Sequence, residues 1–471
     1  MRAYILLICV VLSTVLARGV PAQTDAGADG YGGRTFARWE ATGFFRTHND
    51  GARWWLVTPD GHPFLSIGVC AVRESGHRAR VLNYSPYERN VRRMYGTVER
   101  WCEVTRERLR SWGFNTLGAW SRAEVGLPWT KCLNCCGAHW LGLPGCASSP
   151  GSLPDFFDRQ FSADVARIAA KEACPQDRML IGYFLDNEMQ WDTDWRGGPS
   201  LFDRYAALPA DAAGKQALIR FFQERYASTQ EFARVWSPPV HEWAELAGVT
   251  KLTPHPDQIQ RAADDREAFT LLAARQYFKT CAEAIRKADP NHLLLGARFV
   301  SWTTPEAVVK ACGEYCDVVS VNFYELGPLG WAAYALKSLG TIKLAVGDGD
   351  FRAFHDLAQK PVLISEFSCR AEDSGLPNTW PPGLAAQPTV RTQAERGQKF
   401  SDCVRLWATA GHAVGYHWFC YMDEPKEGRI PDGENGNYGL VNGEDRPYEV
   451  FIQQAAPSNA AAWTMHSAPQ K

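Results

Sequence analysis

The chain has almost no net charge, no internal repeat and, past its first residues, no long apolar run. Its 50 Lys and Arg stand against 52 Asp and Glu, a formal charge of −2. That balance excludes the basic surface on which nucleic-acid binding depends. No later stretch approaches the ~18 uninterrupted apolar residues of a bilayer-crossing helix, so no membrane span is expected. The predicted strand ends also lack the His-x-His pairs and carboxylate groups of metal-dependent hydrolases. Neither metal nor cofactor is called for.

What is present begins with residues 1–22, MRAYILLICVVLSTVLARGVPA: a basic start at Arg2, an apolar run, and small residues near Ala22. An apolar run of about ten residues is too short for a bilayer and reads as an export signal. It directs the chain to the periplasm or beyond and is set aside from the fold. The roughly 450 residues left exceed the ~250 of one (β/α)8 barrel, with room for insertions. Trp (18), Tyr (16) and Phe (23) are plentiful; they build cores and also form flat platforms for sugar rings.

Of 14 Cys, Cys9 leaves with the signal, and 14 − 1 gives an odd count. At least one thiol is therefore free or intermolecular. Cys132, Cys135, Cys136 and Cys146 crowd together with His139, a spacing that fits a local disulfide or zinc; export favours the disulfide. Cys312 and Cys316 are a further candidate pair. Cys70, Cys369 and Cys420 fall in predicted strands and read as small core residues.

Residues 23–43, rich at first in Gly, Ala and Asp, are expected to be flexible. A β-hairpin follows at 44–63, its turns marked by NDG and PDG. Apolar runs then recur at 64–72, 113–120, within 129–135, 180–188, 293–300, 317–325, 360–366 and 413–421. Helical patterns separate them, at 91–112 and 161–169 among others. A long helical insertion occupies about 200–290, closed by the stop signal ADPN at 288–291. Eight such units predict an α/β fold, a (β/α)8 TIM barrel over 64–455 with a tail at 456–471.

Two of the runs end alike. LIGYFLDNE (180–188) and KPVLISEFS (360–368) pass from apolar residues into polar ones and place Glu188 and Glu366 at strand ends. In a parallel barrel those ends form the active-site face. Two carboxyls facing each other are the equipment for glycoside cleavage with retention, and different surroundings push their pKa values apart. Glu188 is the expected acid/base and Glu366 the nucleophile. Asn187 is placed to bond a sugar 2-hydroxyl, and Tyr324, ending the sixth strand, to orient Glu366. Trp418 on the eighth strand completes the set. Singly, each is ordinary: most Glu are solvated and most Tyr are core. Their gathering at one face is what points to catalysis.

With these residues in place, the chain resembles the retaining (β/α)8 glycosidases of clan A. Within them it is most similar to glycoside hydrolase family 50, the β-agarases, and more distantly to the family 42 β-galactosidases. The resemblance rests on GYFLDNE (182–188), KPVLISEF (360–367), QAERG (393–397), GYHWFCYMDEP (415–425), DGENGNYGLVNGEDRPY (432–448) and the insertion segment 226–246. It implies Glu188 as acid/base and Glu366 as nucleophile. It places Asn187, Asn322, Tyr324 and Trp418 around the attacked sugar, with His417, Asp423 and Glu424 as sugar-contacting neighbours. His417 and Trp418 alternate along a strand, so both face the pocket only if its end is irregular. The chain departs from the family after the nucleophile, with Ser368, Cys369 and Arg370 where agarases carry a His-containing turn, and in the short stretch before the barrel. The implied substrate is a β-galactoside linkage of an agarose-like polysaccharide or its oligosaccharides; neither nucleic acid nor a membrane is an expected partner, and the sequence is silent on oligomeric state. Two readings remain beside it: an exo-β-galactosidase or β-glucosidase on another glycan, and a non-catalytic carbohydrate-binding barrel.

Overall fold

The computed structural model describes residues 27–136, 153–194, 198–324, 351–379, 389–430 and 432–468. The export signal, His139 and Cys146 lie outside them. The eight apolar runs become parallel strands at Ser66–Val69, Thr116–Leu117, Trp129–Cys132, Leu180–Phe184, a split fifth strand, Val319–Asn322, Val362–Phe367 and Ala413–Trp418. The fifth run, expected as one strand, is two pieces. Leu293–Leu294 pairs with the fourth strand and Phe299–Val300 with the sixth. The open ends of the nine-strand order thus belong to one segment, and the barrel closes through it.

The break has a local cause. Gly296 has φ +78 and Arg298 φ +48, and a Cβ on Gly296 would sit 3.1 Å from Val318 O. A glycine tolerates both demands. Alternation, interrupted in the fourth strand by a register irregularity, then separates two cores. Ile181, Phe184, Leu363 and Val414 fill the barrel interior with Phe419. Leu180, Tyr183, Val362 and Ile364 face outward to the helices.

The hairpin is one strand larger than expected. Arg46–Asn49, Trp54–Val57 and Pro63–Phe64 form a three-stranded antiparallel sheet. In its NDG turn, Asp50 Oδ1 accepts the N–H groups of Ala52 (2.9 Å) and Arg53 (2.8 Å). The segment before it, expected to be flexible, is packed from residue 27 onward. Asp29 Oδ1 accepts from Gly33 N (2.8 Å), and Tyr31 meets Phe45 edge-on at 5.8 Å. Composition misleads here, because a few aromatics anchor a segment that its small residues do not.

The predicted insertion divides in two. Helices Leu201–Ala206, Ala213–Arg225 and Thr229–Val235 are the true excursion, packed round Phe202, Phe222 and Trp236. Ile259–Ala288 is a barrel helix, lying on Arg159–Glu172 and Glu306–Tyr315. The expected tail is likewise helical: Glu449–Ser467 runs through Pro457 and packs on Gln393–Thr409. Cys132, Cys135, Cys136, Cys312 and Cys316, the described members of the two expected disulfide groups, are free thiols. No described helix is long and apolar enough to cross a membrane.

Candidate active site

The fourth, sixth and seventh strands deliver Asn187 and Glu188, Asn322 and Tyr324, and Glu366 to one end of the barrel. Strict alternation would hide every second residue from the pocket. Register shifts between Val321 and Asn322, and between Ile364 and Phe367, break it where the site begins. Such bulges re-aim side chains. Both Ser365 and Glu366 consequently turn inward: Ser365 Oγ donates to Asn322 Oδ1 (2.8 Å), and Glu366 meets Arg298 and Tyr324. Glu188 stands past its strand in a left-handed turn, φ +48.

One hydrogen-bond chain links the two glutamates. Asn322 Nδ2 donates to Glu188 Oε1 (2.9 Å) and to Asn187 Oδ1 (3.1 Å). Asn187 Oδ1 also accepts from Arg298 Nε (2.6 Å). The guanidinium of Arg298 forms an ion pair with Glu366 Oε1. The second oxygen of Glu366 accepts from Tyr324 Oη at 2.7 Å. Burial, and then the Glu366 charge, hold the Tyr324 hydroxyl well above its ordinary pKa, so it stays a donor.

Arg298 was not singled out in the sequence. It is fully buried, with its guanidinium 4.6 Å from the Trp120 ring centre and 4.9 Å from that of Phe184. Burial alone would lower its pKa; the Glu366 charge reverses the sign. The signal for it was a charged residue inside the apolar run LLLGARFV, since buried Arg are rare unless paired.

Three residues expected against the sugar lie elsewhere. The Trp418 ring is packed at 5.1 Å from Phe367, 5.5 Å from Phe400 and 5.1 Å from Phe451, in the layer between barrel and helices. Its neighbour His417 points into the barrel, where its Nε2 meets Ser66 Oγ at 2.8 Å. There a Cβ on Gly68 would come within 2.4 Å of the ring. Burial, then Arg298, push His417 down to about 3, so it is neutral. Alternation accounts for both, and it brings the next residue, Phe419, inward, 6.4 Å from Trp120. Asp423 is a brace: it accepts from Asn437 Nδ2, Gly439 N (both 2.8 Å) and Tyr448 Oη. Glu424 is buried, with Arg429 Nη1 donating to its Oε1 at 2.9 Å.

No protein-family model matches the chain. It is 27% identical to β-agarase A of Vibrio sp. (strain JT0107) over 87% of its own length, and 27% identical to β-agarase B of the same strain over 89%. It spans about half of those relatives, 45% and 48%. A solved exo-β-agarase superposes with a TM-score of 0.78 at 25% identity, covering 94% of this chain and 68% of that one. In sequence the chain is thus similar to the β-agarases, and its fold is the (β/α)8 barrel that the resemblance implied.

Proposed function

We propose that the protein is a retaining β-glycoside hydrolase acting on β-galactoside linkages of an agarose-type polysaccharide or its oligosaccharides. The observation that carries this reading is that two carboxyls at one end of the barrel are joined by a short chain of side chains. Glu366 is ion-paired with Arg298 and bonded by Tyr324, Arg298 also bonds Asn187, and Asn322 joins Asn187 to Glu188. A retaining glycosidase needs two such carboxyls, one ionised to attack and one protonated to assist the leaving oxygen. The names of the relatives supply the substrate class.

In the first step an oxygen of Glu366 bonds to the anomeric carbon while the Glu188 proton passes to the departing glycosidic oxygen. In the second, Glu188 takes a proton from water, whose oxygen attacks the same carbon and releases Glu366. Each carboxylate oxygen has two lone pairs, so the bonds from Arg298 and Tyr324 leave one for attack. Asn187 has its carbonyl oxygen engaged by Arg298 and Asn322, which leaves its Nδ2–H group for the sugar 2-hydroxyl. The reading requires the two carboxyls to flank one anomeric carbon at a separation of about 5 Å. Residues 1–22 we read as the export signal that brings the enzyme to an external polymer.

Kinetics of two variants test this. Glu366→Ala should lose on the order of 10⁴-fold or more in turnover. Added azide should restore part of it as a glycosyl azide of inverted configuration. Glu188→Ala should slow poor leaving groups far more than activated aryl galactosides. Similar mild losses in both variants would overturn the assignment. Oligosaccharide binding without turnover in the unaltered chain would favour the carbohydrate-binding alternative.

A further inference from the structure

Four buried thiols gather in the layer between barrel and helices, and the proposed chemistry uses none of them. Cys135 belongs to the loop after the third strand and Cys281 to helix Ile259–Ala288. Cys312 lies in helix Glu306–Tyr315, and Cys316 is its C-cap. Two hydrogen bonds sort the four. Cys135 bonds with Cys281, and Cys312 with Cys316. The second pair lies four positions apart at one helix end and ties nothing new together. The first joins elements 281 − 135 = 146 residues apart in sequence.

The surroundings hold that first contact in place. Cys135 N donates to Leu185 O at 2.9 Å and Cys136 N to Asp186 Oδ1 at 3.1 Å, so the loop runs beside the end of the fourth strand. From the other side Tyr277 Oη donates to Asp186 Oδ2 at 2.6 Å. Tyr277 and Cys281 are i and i+4, neighbours on one face of their helix. One carboxyl thus clamps loop to helix and sets the two sulfurs against each other. Among the described residues these thiols belong to no group of three ligand-type atoms close enough to share a metal ion.

We propose that Cys135 and Cys281 are the two halves of a structural disulfide, closed as the chain folds in an oxidising compartment. The two thiols give up two protons and two electrons to a disulfide oxidant, which departs as two thiols, and one S–S bond forms. Timing follows from the burial. The bond to Cys281, and then burial, hold the Cys135 thiol well above its ordinary range, and burial pushes Cys281 up to about 11. Exchange needs a thiolate and access, so the finished fold offers neither. The bond closes while loop and helix are still coming together and is shielded from reductant afterwards. Cys135 therefore takes a distant partner in place of the local one its spacing suggests. A cross-link over so long a stretch removes more freedom from the unfolded chain than a bridge within 132–146. It also fixes the loop against Asp186, two residues before Glu188.

The test uses the full chain produced twice, in a host with an oxidising cytosol and in one with a reducing cytosol. Free thiols are blocked with N-ethylmaleimide in denaturant, and digests are mapped by mass spectrometry with and without reductant. The chain from the oxidising host should yield a peptide pair joining Cys135 to Cys281 that separates on reduction. The chain from the reducing host should carry maleimide on both. Its thermal midpoint should be lower by about 5 °C or more, and Cys281→Ala should abolish the difference between hosts. Maleimide on both residues in the chain from the oxidising host would overturn the proposal. So would a bridge from Cys135 to any other cysteine, or equal midpoints with the bridge formed. If Cys281→Ala fails to fold, the peptide map of the unaltered chain still decides. None of these readouts needs a substrate or an export step, so they stand apart from the glycosidase and export readings.

Discussion

At the scale of single residues, the proposed chemistry depends on what the neighbours of two carboxyls do to them. Tyr324 bonds Glu366 directly and is buried, so Tyr324→Phe removes one donor and little else. Turnover should fall about 10–100-fold, with the unfolding midpoint nearly unchanged, in steady-state kinetics set beside a denaturant titration. Asp186, two residues before Glu188, behaves differently. Burial raises its carboxyl to about 7, although Tyr277 Oη (2.6 Å) and Cys136 N (3.1 Å) donate to it. Its unfolded value is about 3.9. The folded chain therefore holds this proton more tightly, and the associated stability is complete below about pH 4 and declines until about pH 7. Asp186→Asn should flatten that slope, seen as denaturation midpoints at pH 5 and 8 that draw together. Glu188, Glu366, Asn187 and Tyr324 were legible in the sequence because each ends an apolar run. Arg298 and Phe419 were hidden inside runs, where only register decides which way a side chain faces.

At the scale of elements, part of the sequence that carries the resemblance proves to be scaffolding. Within the stretch 432–448, which carries part of the resemblance, Asp445 is spent on bracing. Asp445 Oδ1 accepts from Tyr87 Oη (2.7 Å), and its Oδ2 from Tyr95 Oη (2.6 Å) and Arg108 Nη1 (2.7 Å). That residue pins the last loop to helices Pro86–Tyr95 and Val98–Ser111. Asp445→Ala strands a guanidinium and two phenols together. A loss of about 3–5 kcal/mol is expected, read from urea unfolding. Sequence pattern could not separate bracing from binding, since an acid that caps a loop and one that meets a sugar are spelled alike. The split fifth strand was hidden for a related reason: LLLGARFV reads as continuous, and only Gly296 hints at the break.

At the scale of the whole molecule, the order of strands and helices was readable because every buried strand is an apolar run between amphipathic helices. The two ends of the chain were not. Both lack strong patterns, and both are held by contacts remote in sequence. Helix Glu449–Ser467 covers the barrel with Phe451, Ile452 and Ala455, and near its end turns to the N-terminal sheet. There His466 Nε2 meets Trp54 O at 3.0 Å and Nδ1 meets Ala408 O at 3.1 Å, with the ring edge-on to Trp55 at 4.5 Å. Arg34, from the segment before the sheet, stands 4.9 Å from the Trp463 ring centre. One imidazole thus ties the N-terminal sheet, helix Gln393–Thr409 and the final helix together. His466→Ala leaves one carbonyl without its N–H partner and opens a space beside Trp55. Thermal unfolding should come earlier by the equivalent of about 2–4 kcal/mol. Because the ring lies against the outer helices and not among the residues of the proposed site, turnover at low temperature should stay within about twofold of the unaltered chain. Loss of activity without loss of stability would mean that the sheet and the barrel mouth are coupled through a path these contacts do not supply.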